Sequence, residues 1–484
     1  MYLGLDLGTS SLKAIIMDDA QSILASSSAA ISVSRPHDGW SEQDPEDWIS
    51  ALNVVMQALV SKHSDLLAKV RGIGLSGHMH GATLLGEDGS VLRPCMLWND
   101  TRSHEEASEL DANPLFRDIA ANIVFPGFTA PKVEWVRRHE PDVFAKTTMI
   151  LLPKDYLRYR LTGLFVSEMS DAAGTAWLDV AKRDWSEPLL GACGLERSQM
   201  PDLVEGSEVS GTLSGDLAAS WGMAKDVVVA GGAGDNAASA AGVGAIASGD
   251  AFVSLGTSGV LFASNDVFRP KPESAVHTFC HAFPKTWHQM GVILSATDAL
   301  NWYAGLVGQD PQTLTEELGD DLEGPSEVTF LPYLSGERTP HNDASIRGCF
   351  SGLGHGTTRK DMTRAVLDGV TFALADNLDA LHSTGTEIER VLAVGGGSKS
   401  QYWLKVIATV LDVPVEVPVG GDFGAAFGAA RLGMIAATGA DPAQVCTQPK
   451  IEHRIAPQKD LQEAYAKARD RFKATYPALK AIGA

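Results

Sequence analysis

VVVAGGAGDNAASAAGVGAIASGDAFVSLGTSG, residues 227–259, reads as a β-branched strand, a glycine turn with an acidic residue at its exit, a small-residue helix, a second strand and a second glycine turn. Val227, Val228 and Val229 suit a buried strand, while Gly231, Gly232 and Gly234 admit close backbone approach that a side chain would block. Asp235 is thereby expected at a strand end, where open α/β sheets place ligands. Ala237, Ala238, Ala240 and Ala241 fit a closely packed helix, Phe252, Val253 and Leu255 the next strand, and Gly256, Thr257, Ser258 and Gly259 the closing turn.

That last turn has a twin. Residues 2–10 read YLGLDLGTS and residues 251–258 read AFVSLGTS, each an apolar strand running into LGTS and then into another apolar stretch. Two copies suggest two related lobes facing one ligand, since a loop of backbone N–H groups and small hydroxyls can cradle phosphate oxygens. The alternative is a pair of hairpins with ordinary glycine turns.

A chain of 484 residues is expected to divide into two domains. Its 44% apolar content, with 48 Gly and 23 Pro, fits a turn-rich α/β protein. The 39 basic and 60 acidic residues leave a formal charge of −21, which argues against nucleic acid or an anionic membrane as partner. Cys95, Cys193, Cys280, Cys349 and Cys446 are odd in number, scattered and without a CxxC pair, as expected of reduced thiols in a cytoplasmic protein. No leader-like pattern opens the sequence, and the small-residue stretch 229–249 is broken by Asp235 and Asn236, so a soluble protein is expected.

From the N-terminus, YLGLDL, LKAIIMDD and SILASSSAAISVS predict an antiparallel set. Asp6 interrupts the first of these runs, and a carboxylate beside a glycine loop needs water, a cation or a donor, which a metal–phosphate site would supply. Lys13 is placed either to counter phosphate charge or simply to face solvent. SEQDPEDW announces a helix, with Asp44 as N-cap, Pro45 at N1 and Asp47 completing a capping box, and Trp48, Leu52, Val55, Met56 and Leu59 on one apolar face. The strand 70–75 then runs into SGHMHGAT, where alternation would send His78 and His80 to one side. Zinc would need ligands that no nearby Cys/His cluster provides, leaving a substrate-binding or a structural role for His80.

Trp98, Asn99, Asp100 and Arg102 offer an aromatic plane, a carboxamide, a carboxylate and a guanidinium, suited either to a polyhydroxylated substrate or to an ordinary structured loop. A helix is expected around Val133 and Trp135, strands around HTFCHAF and WHQMGVIL, and an exposed acidic connection over 307–328. RKDMTRAVLDGVTFALADNLDAL predicts one long, largely buried helix. Strand 391–394, GGGSKSQYW and an apolar helix give a nucleotide-compatible unit, and GGDFGAAFGAAR at 420–431 predicts a helix packed closely on a sheet.

The ordered set LDLGTSS, SGHMHG, GFTAPKVEWV, GGAGDN, SLGTSG, LSGERTP, GLGHGTTRKDMTRAVLDG and GGGSKS resembles the FGGY carbohydrate kinases, and the likeness covers nearly the whole chain. GxTxxKxxW at 127–135 and the spaced pattern from Gly348 to Asp368 look like the two family signatures. The resemblance implies two ribonuclease H-like domains of the actin and hexokinase kind, here 1–243 and 244–484, flanking a nucleotide and sugar cleft. It implies transfer of the γ-phosphoryl of ATP, with Mg²⁺, to the 5-hydroxyl of D-xylulose. Another ketose or polyol such as ribulose or glycerol is the alternative acceptor, and a non-catalytic actin-like binding protein the alternative from another class.

By the same resemblance Asp235 is the catalytic base and Asp6 orients magnesium and phosphate, so both stand by the metal. Met79 and His80 touch the sugar, with Trp98, Asp100, Asp235 and Asn236 completing its wall. Gly8, Thr9, Ser10 and Lys13, then Gly256, Thr257 and Ser258, then Gly395, Gly396, Gly397 and Ser398 are expected at the nucleotide. His78 stands where similar enzymes commonly carry glutamine, and a homodimer is the assembly entertained. Closure of the lobes about 242–249 is expected to exclude water.

Overall fold

The computed structural model describes residues 1–420 and 424–483. Tyr2–Leu7 (β1) turns into Ser11–Met17 (β2) and then Ile23–Ala30 (β3), all antiparallel, and Pro45–Leu67 (α1) carries the chain across to Gly72–Gly77 (β4), parallel to β1. Thr129–His139 (α2) and Pro153–Thr162 (α3) follow, and Val209–Thr212 (β5) and Val228–Ala230 (β6) complete a sheet ordered β3-β2-β1-β4-β6-β5.

After Asp235–Val243 (α4) the same plan recurs. Ala251–Leu255 (β7) and Gly259–Asn265 (β8) form an antiparallel hairpin, and His277–Cys280 (β9) and Trp287–Ile293 (β10) extend it. Arg359–His382 (α5) then crosses to Val391–Val394 (β11), parallel to β7. Val415–Pro418 (β12), Ala425–Thr438 (α6) and Ile451–Ile455 (β13) follow, giving the order β9-β10-β8-β7-β11-β12-β13. Each sheet therefore has an antiparallel run, three strands in the first and four in the second, then two parallel strands joined to it through a helical crossover, and an outer antiparallel strand. The twin LGTS turns are the β1–β2 and β7–β8 hairpin loops of this duplicated α/β architecture.

Local chemistry sets the elements that matter most. Asp44 caps α1 by accepting the Glu46 N–H at 3.0 Å, rather than closing a reciprocal box with Asp47, and Trp48, Leu52, Val55, Met56 and Leu59 bury its apolar face. Thr358 and Asp361 make the capping box that starts α5, which is buried on almost every side from Thr363 to Leu381. Residues 307–328 are not wholly an exposed connection, because Pro311–Glu316 forms a short helix that buries Leu314 in the second lobe. All five cysteines are free thiols, and among the described residues no helix is long and apolar enough to cross a membrane.

The glycine and alanine patch near 420–431 does form a helix, but its sheet is the first one; Gly421, Asp422 and Phe423 of that patch lie outside the described residues. α6 packs onto β1 and β4 so closely that a Cβ on Gly74 would stand 1.7 Å from the Ala429 carbonyl oxygen. Meanwhile Ala240 and Val243 of α4 pack with Phe252 of β7 and Leu392 of β11. The two helices cross in contact, where a Cβ on Gly428 would meet the Ala238 carbonyl oxygen at 1.7 Å. Each lobe thus contributes a helix to the other, so the helix 425–438 joins the first sheet although chain order puts it after the second.

Candidate active site

Sheet register assembles the first half of the site. Leu7 of β1 lies beside Gly77 of β4, and Gly77 pairs in turn with Gly234, so the residues leaving three neighbouring strands emerge at one edge. Asp6 stands one residue before that edge, His78 to His80 leave β4 there, and Asp235 opens α4 beside them. Gly232 bends the chain into place with φ +76°, and a Cβ on it would meet the Leu75 carbonyl oxygen at 2.2 Å. Both steric terms exclude a side chain.

Asp235 is oriented by its neighbour. Its Oδ1 accepts the Asn236 N–H at 2.7 Å and the Asn236 side-chain amide at 2.9 Å, and no hydrogen bond from the described residues reaches Oδ2. Burial pushes its carboxyl up to about 6, and the negative charge of Asp6 adds to that shift. Burial also raises Asp6, against the pull of the Ser76 hydroxyl and of Lys13, which lies directly opposite it across the β1–β2 hairpin. Trp98, about half exposed at 47%, donates its indole N–H to Thr9 Oγ1 at 3.1 Å and so ties the expected sugar wall to the first LGTS turn.

The two histidines do not share a side. β4 ends at Gly77, and His80 has a positive φ of 72°, so strand alternation does not apply across the HMH segment. His78 is buried edge-on against Trp48, 5.8 Å between ring centroids, with neither ring nitrogen hydrogen-bonded. His80 instead stacks on Phe128 at 4.7 Å, and its Nδ1 lies 2.7 Å from the Gly174 carbonyl oxygen. Burial, reinforced by the Lys132 charge, holds His80 neutral with its pKa near 3, so Nδ1–H is the donor to Gly174 and Nε2 is left as an acceptor.

The strained backbone of His80 is held by the first signature motif. Lys132 Nζ donates to the His80 carbonyl oxygen at 2.9 Å and to the Gly127 carbonyl oxygen at 2.6 Å, while Thr129 Oγ1 donates to the same His80 oxygen at 3.1 Å. The sequence displayed GxTxxKxxW, but spacing alone did not say that its lysine and threonine converge on one carbonyl of the HMH segment. Asp100 requires a correction as a sugar-binding residue. It is fully buried, with Arg102 at 2.9 and 2.6 Å and the Ser41 N–H at 2.7 Å occupying both carboxylate oxygens. Met79 packs against Gly234, whose added Cβ would lie 2.9 Å from the thioether sulfur.

The second lobe supplies the other turns. Gly256 O accepts the Thr297 N–H at 2.9 Å and its hydroxyl at 2.7 Å, Thr257 O accepts the Ala296 N–H at 2.8 Å, and the Thr257 side chain stays exposed. Gly395, at φ +90°, turns the chain off β11 against the backbone of Leu255, and Ser398 donates its hydroxyl back to the Gly395 carbonyl at 2.7 Å. Beside Gly396 and Gly397 lies a cavity of about 670 Å³ walled by Thr297, Leu300, Tyr402 and Trp403. Sequence reading missed this wall, because Thr297 and Tyr402 are ordinary helix residues until the helices are packed. A second cavity, about 510 Å³, opens between the lobes, with Ser239 of α4 on one side and Ser254, Val394, Gly395 and Ser398 on the other.

With two lobes, twin hairpin turns and a carboxylate pair at the first sheet's edge in view, comparison with known proteins becomes decisive. Residues 1–242 match the model for the N-terminal domain of the FGGY family of carbohydrate kinases, and residues 251–437 that for its C-terminal domain. The chain belongs to the FGGY family of carbohydrate kinases. It is 49% identical to the xylulose kinase of Escherichia coli (strain K12) over 99% of both chains. Its fold superposes with a TM-score of 0.98 on the crystal structure of a xylulose kinase from Brucella ovis, 61% identical over 99% of each chain. The xylulose kinase from Rhodospirillum rubrum superposes at 0.92 with 27% identity, covering 100% of this chain and 99% of that one. The protein is therefore an enzyme of the phosphotransferase class.

Among the described residues no group of three or more His, Cys, Asp and Glu converges as a self-sufficient metal site. Two carboxylates, both pushed up by burial and Asp235 further by the charge of Asp6, nevertheless fit a magnesium ion. Mg²⁺ takes one or two protein carboxylates and completes its octahedron with water and substrate phosphates.

Proposed function

We propose that this kinase phosphorylates the 5-hydroxyl of D-xylulose, with ATP as donor and Mg²⁺ as cofactor, and with Asp235 as the general base. The observation that carries the reading is the Asp235 carboxyl, pushed up to about 6, held by Asn236 through one oxygen only, and set at the start of α4 directly after Gly234, which pairs with the last residue of β4. Similarity to xylulose kinases along the whole chain supports the choice of acceptor.

In this reading the sugar lies along Met79, His80 and Trp98. His80 Nε2 accepts one substrate hydroxyl, and Asn236 fixes the plane of Asp235 so that Oδ2 meets the reacting hydroxyl. A sugar hydroxyl is too weak an acid to ionise freely, so Asp235 takes its proton as the bond to phosphorus forms. Asp6 and Asp235 would hold Mg²⁺, which supplies neutralisation of phosphate charge. The turns 8–10, 256–258 and 395–398 present backbone amides and hydroxyls toward phosphate, and the 670 Å³ cavity, within the range of small-ligand sites, takes the adenosine end. The domain division at 243/244 is part of this proposal, with α4 and α6 as the crossed helices across which the lobes move. So is a cytoplasmic location, where five free thiols stay reduced.

The test is a panel of D-xylulose, L-xylulose, D-ribulose and glycerol with ATP and Mg²⁺, the phosphorylated carbon being assigned by phosphorus-coupled NMR. D-Xylulose is expected to give the highest kcat/KM and a phosphate on C5. Preference for another acceptor, or phosphate on another carbon, overturns the assignment.

A further inference from the structure

We infer that Ser170 and Arg158 are positioning residues that set the direction of the Asp235 carboxylate from behind the cleft; the inference rests on Asp235 being the base. The four residues before Asp235, Gly231 to Gly234, include three glycines, so the backbone that delivers the carboxylate has almost no side chains of its own to fix it. Side chains from elsewhere tie both ends. Arg158 Nη2 donates to the Gly231 carbonyl oxygen, and the Gly234 N–H donates to Ser170 Oγ at 3.1 Å.

Each tie is itself locked. Ser170 Oγ donates to Glu168 Oε1 at 3.0 Å, and the Ser170 N–H donates to Glu168 Oε2 at 2.7 Å, so the hydroxyl's lone pair is left pointing at Gly234. Arg158 Nη1 is held by Asp155 Oδ1 at 2.8 Å and by the Val166 carbonyl oxygen at 2.5 Å. Lys154 joins the two halves, with its Nζ 2.6 Å from Asp155, 3.3 Å from Glu168 and 3.1 Å from Asp171. Burial raises the Asp171 carboxyl well above its ordinary range, against the pull of the Lys154 ammonium.

The side chains of Lys154, Asp155, Arg158, Glu168 and Asp171 have no solvent exposure, so none of them touches substrate. Well-packed apolar residues would generally stabilise a fold as well as or better than a buried ionic cluster. What the cluster adds is direction: two hydrogen bonds of fixed geometry onto a glycine turn whose next residue is the base. Displacement of a reacting group by about 1 Å can cost on the order of 100-fold in rate, the scale on which such a support acts.

Ser170→Ala deletes one oxygen and leaves the Gly234 N–H without its acceptor. The expected result is a kcat lowered about 10- to 100-fold, with the KM for ATP and for sugar within about threefold of wild type. Ser170→Thr, which keeps the hydroxyl, is expected to recover most of the turnover, and Ser170→Cys, a weaker acceptor of similar volume, to fall between. Thermal melting of each variant and Asp235→Asn assayed in parallel complete the set. Turnover within about twofold of wild type in a folded Ser170→Ala, while Asp235→Asn is inactive, overturns the positioning role and leaves the base intact. A kcat loss shared equally by Ala, Cys and Thr and tracking a lowered melting temperature overturns it as well, because only stability is then at stake. Wild-type turnover in Asp235→Asn removes the base and the inference with it.

Discussion

Lys132 Nζ lies 2.9 Å from the carbonyl oxygen of His80, a residue whose φ of +72° is uncommon for a side chain larger than glycine. The lysine is buried, and burial lowers its pKa to about 7, yet it donates to this oxygen and to that of Gly127. It holds His80, the histidine proposed to face the sugar, through the backbone and not through the imidazole. Lys132→Met is therefore expected to lower kcat/KM for sugar by about 1 to 3 kcal/mol while leaving ATP binding unchanged, as should His80→Ala. Steady-state kinetics with each substrate varied in turn checks this; an equal rise in both KM values would point to general loss of structure.

Asp235→Ala should cut turnover by about 10²- to 10⁴-fold, the usual range for loss of a general base. ATP affinity, measured by calorimetry, should be nearly unchanged because the 670 Å³ cavity and the glycine turns beside it lie in the other lobe. Retention of more than about a fifth of wild-type turnover would remove Asp235 from the role of base.

Asp6→Asn keeps the shape of the side chain and removes its charge. With Asp235 left as the one carboxylate of the pair, the concentration of Mg²⁺ giving half-maximal rate is expected to rise, while sugar binding changes little. A titration of rate against Mg²⁺ reads this out. An unaltered curve with unaltered kcat counts against Asp6 as a metal-facing group.

Gly428 is where the crossed helices touch, and a Cβ there would stand 1.7 Å from the Ala238 carbonyl oxygen, whereas a Cβ on exposed, helical Gly191 meets nothing within 4 Å. Gly428→Ala is expected to destabilise by about 1 to 3 kcal/mol through forced backbone displacement. Gly191→Ala should be neutral or stabilise by up to about 1 kcal/mol. Urea unfolding of the pair measures the contrast, and equal effects would mean that the helix crossing yields without cost.

Asp361 predicts an acid-side loss of stability. Its carboxylate accepts the Thr358 hydroxyl at 2.7 Å and N–H at 3.0 Å and faces Arg364 at 2.7 Å, and these contacts hold its pKa near 2, below its unfolded value. A depressed carboxyl stabilises the fold above the unfolded pKa of about 4 and loses that contribution as pH falls through the folded value. The melting-temperature gap between wild type and Asp361→Asn should be full at pH 7 and narrow steadily from about pH 4 downward. A gap independent of pH would assign the effect to shape alone.

Much of this protein was legible in its residue order. Alternating apolar runs around LGTS located two hairpins, the capping residue Asp44 stands at the start of the first long crossover helix, and the glycines before Asp235 and after Val394 mark strand exits. These are local signals: strand period, cap chemistry and the steric freedom of glycine act within a few residues and survive in the sequence as pattern.

Tertiary structure alone decided which of those residues meet. The HMH segment looked symmetric in sequence, yet the positive φ of His80 sends one histidine to Phe128 and leaves the other against Trp48. Asp100 looked available for a sugar until folding buried it beneath Arg102, and the helix 425–438 looked like part of the second lobe until it packed on β1 and β4 of the first. The Lys132 clamp and the Ser170 and Arg158 ties join residues 52, 64 and 73 positions apart. The physical reason is range: which buried polar group satisfies which carbonyl depends on how the elements pack, and no local propensity carries that information.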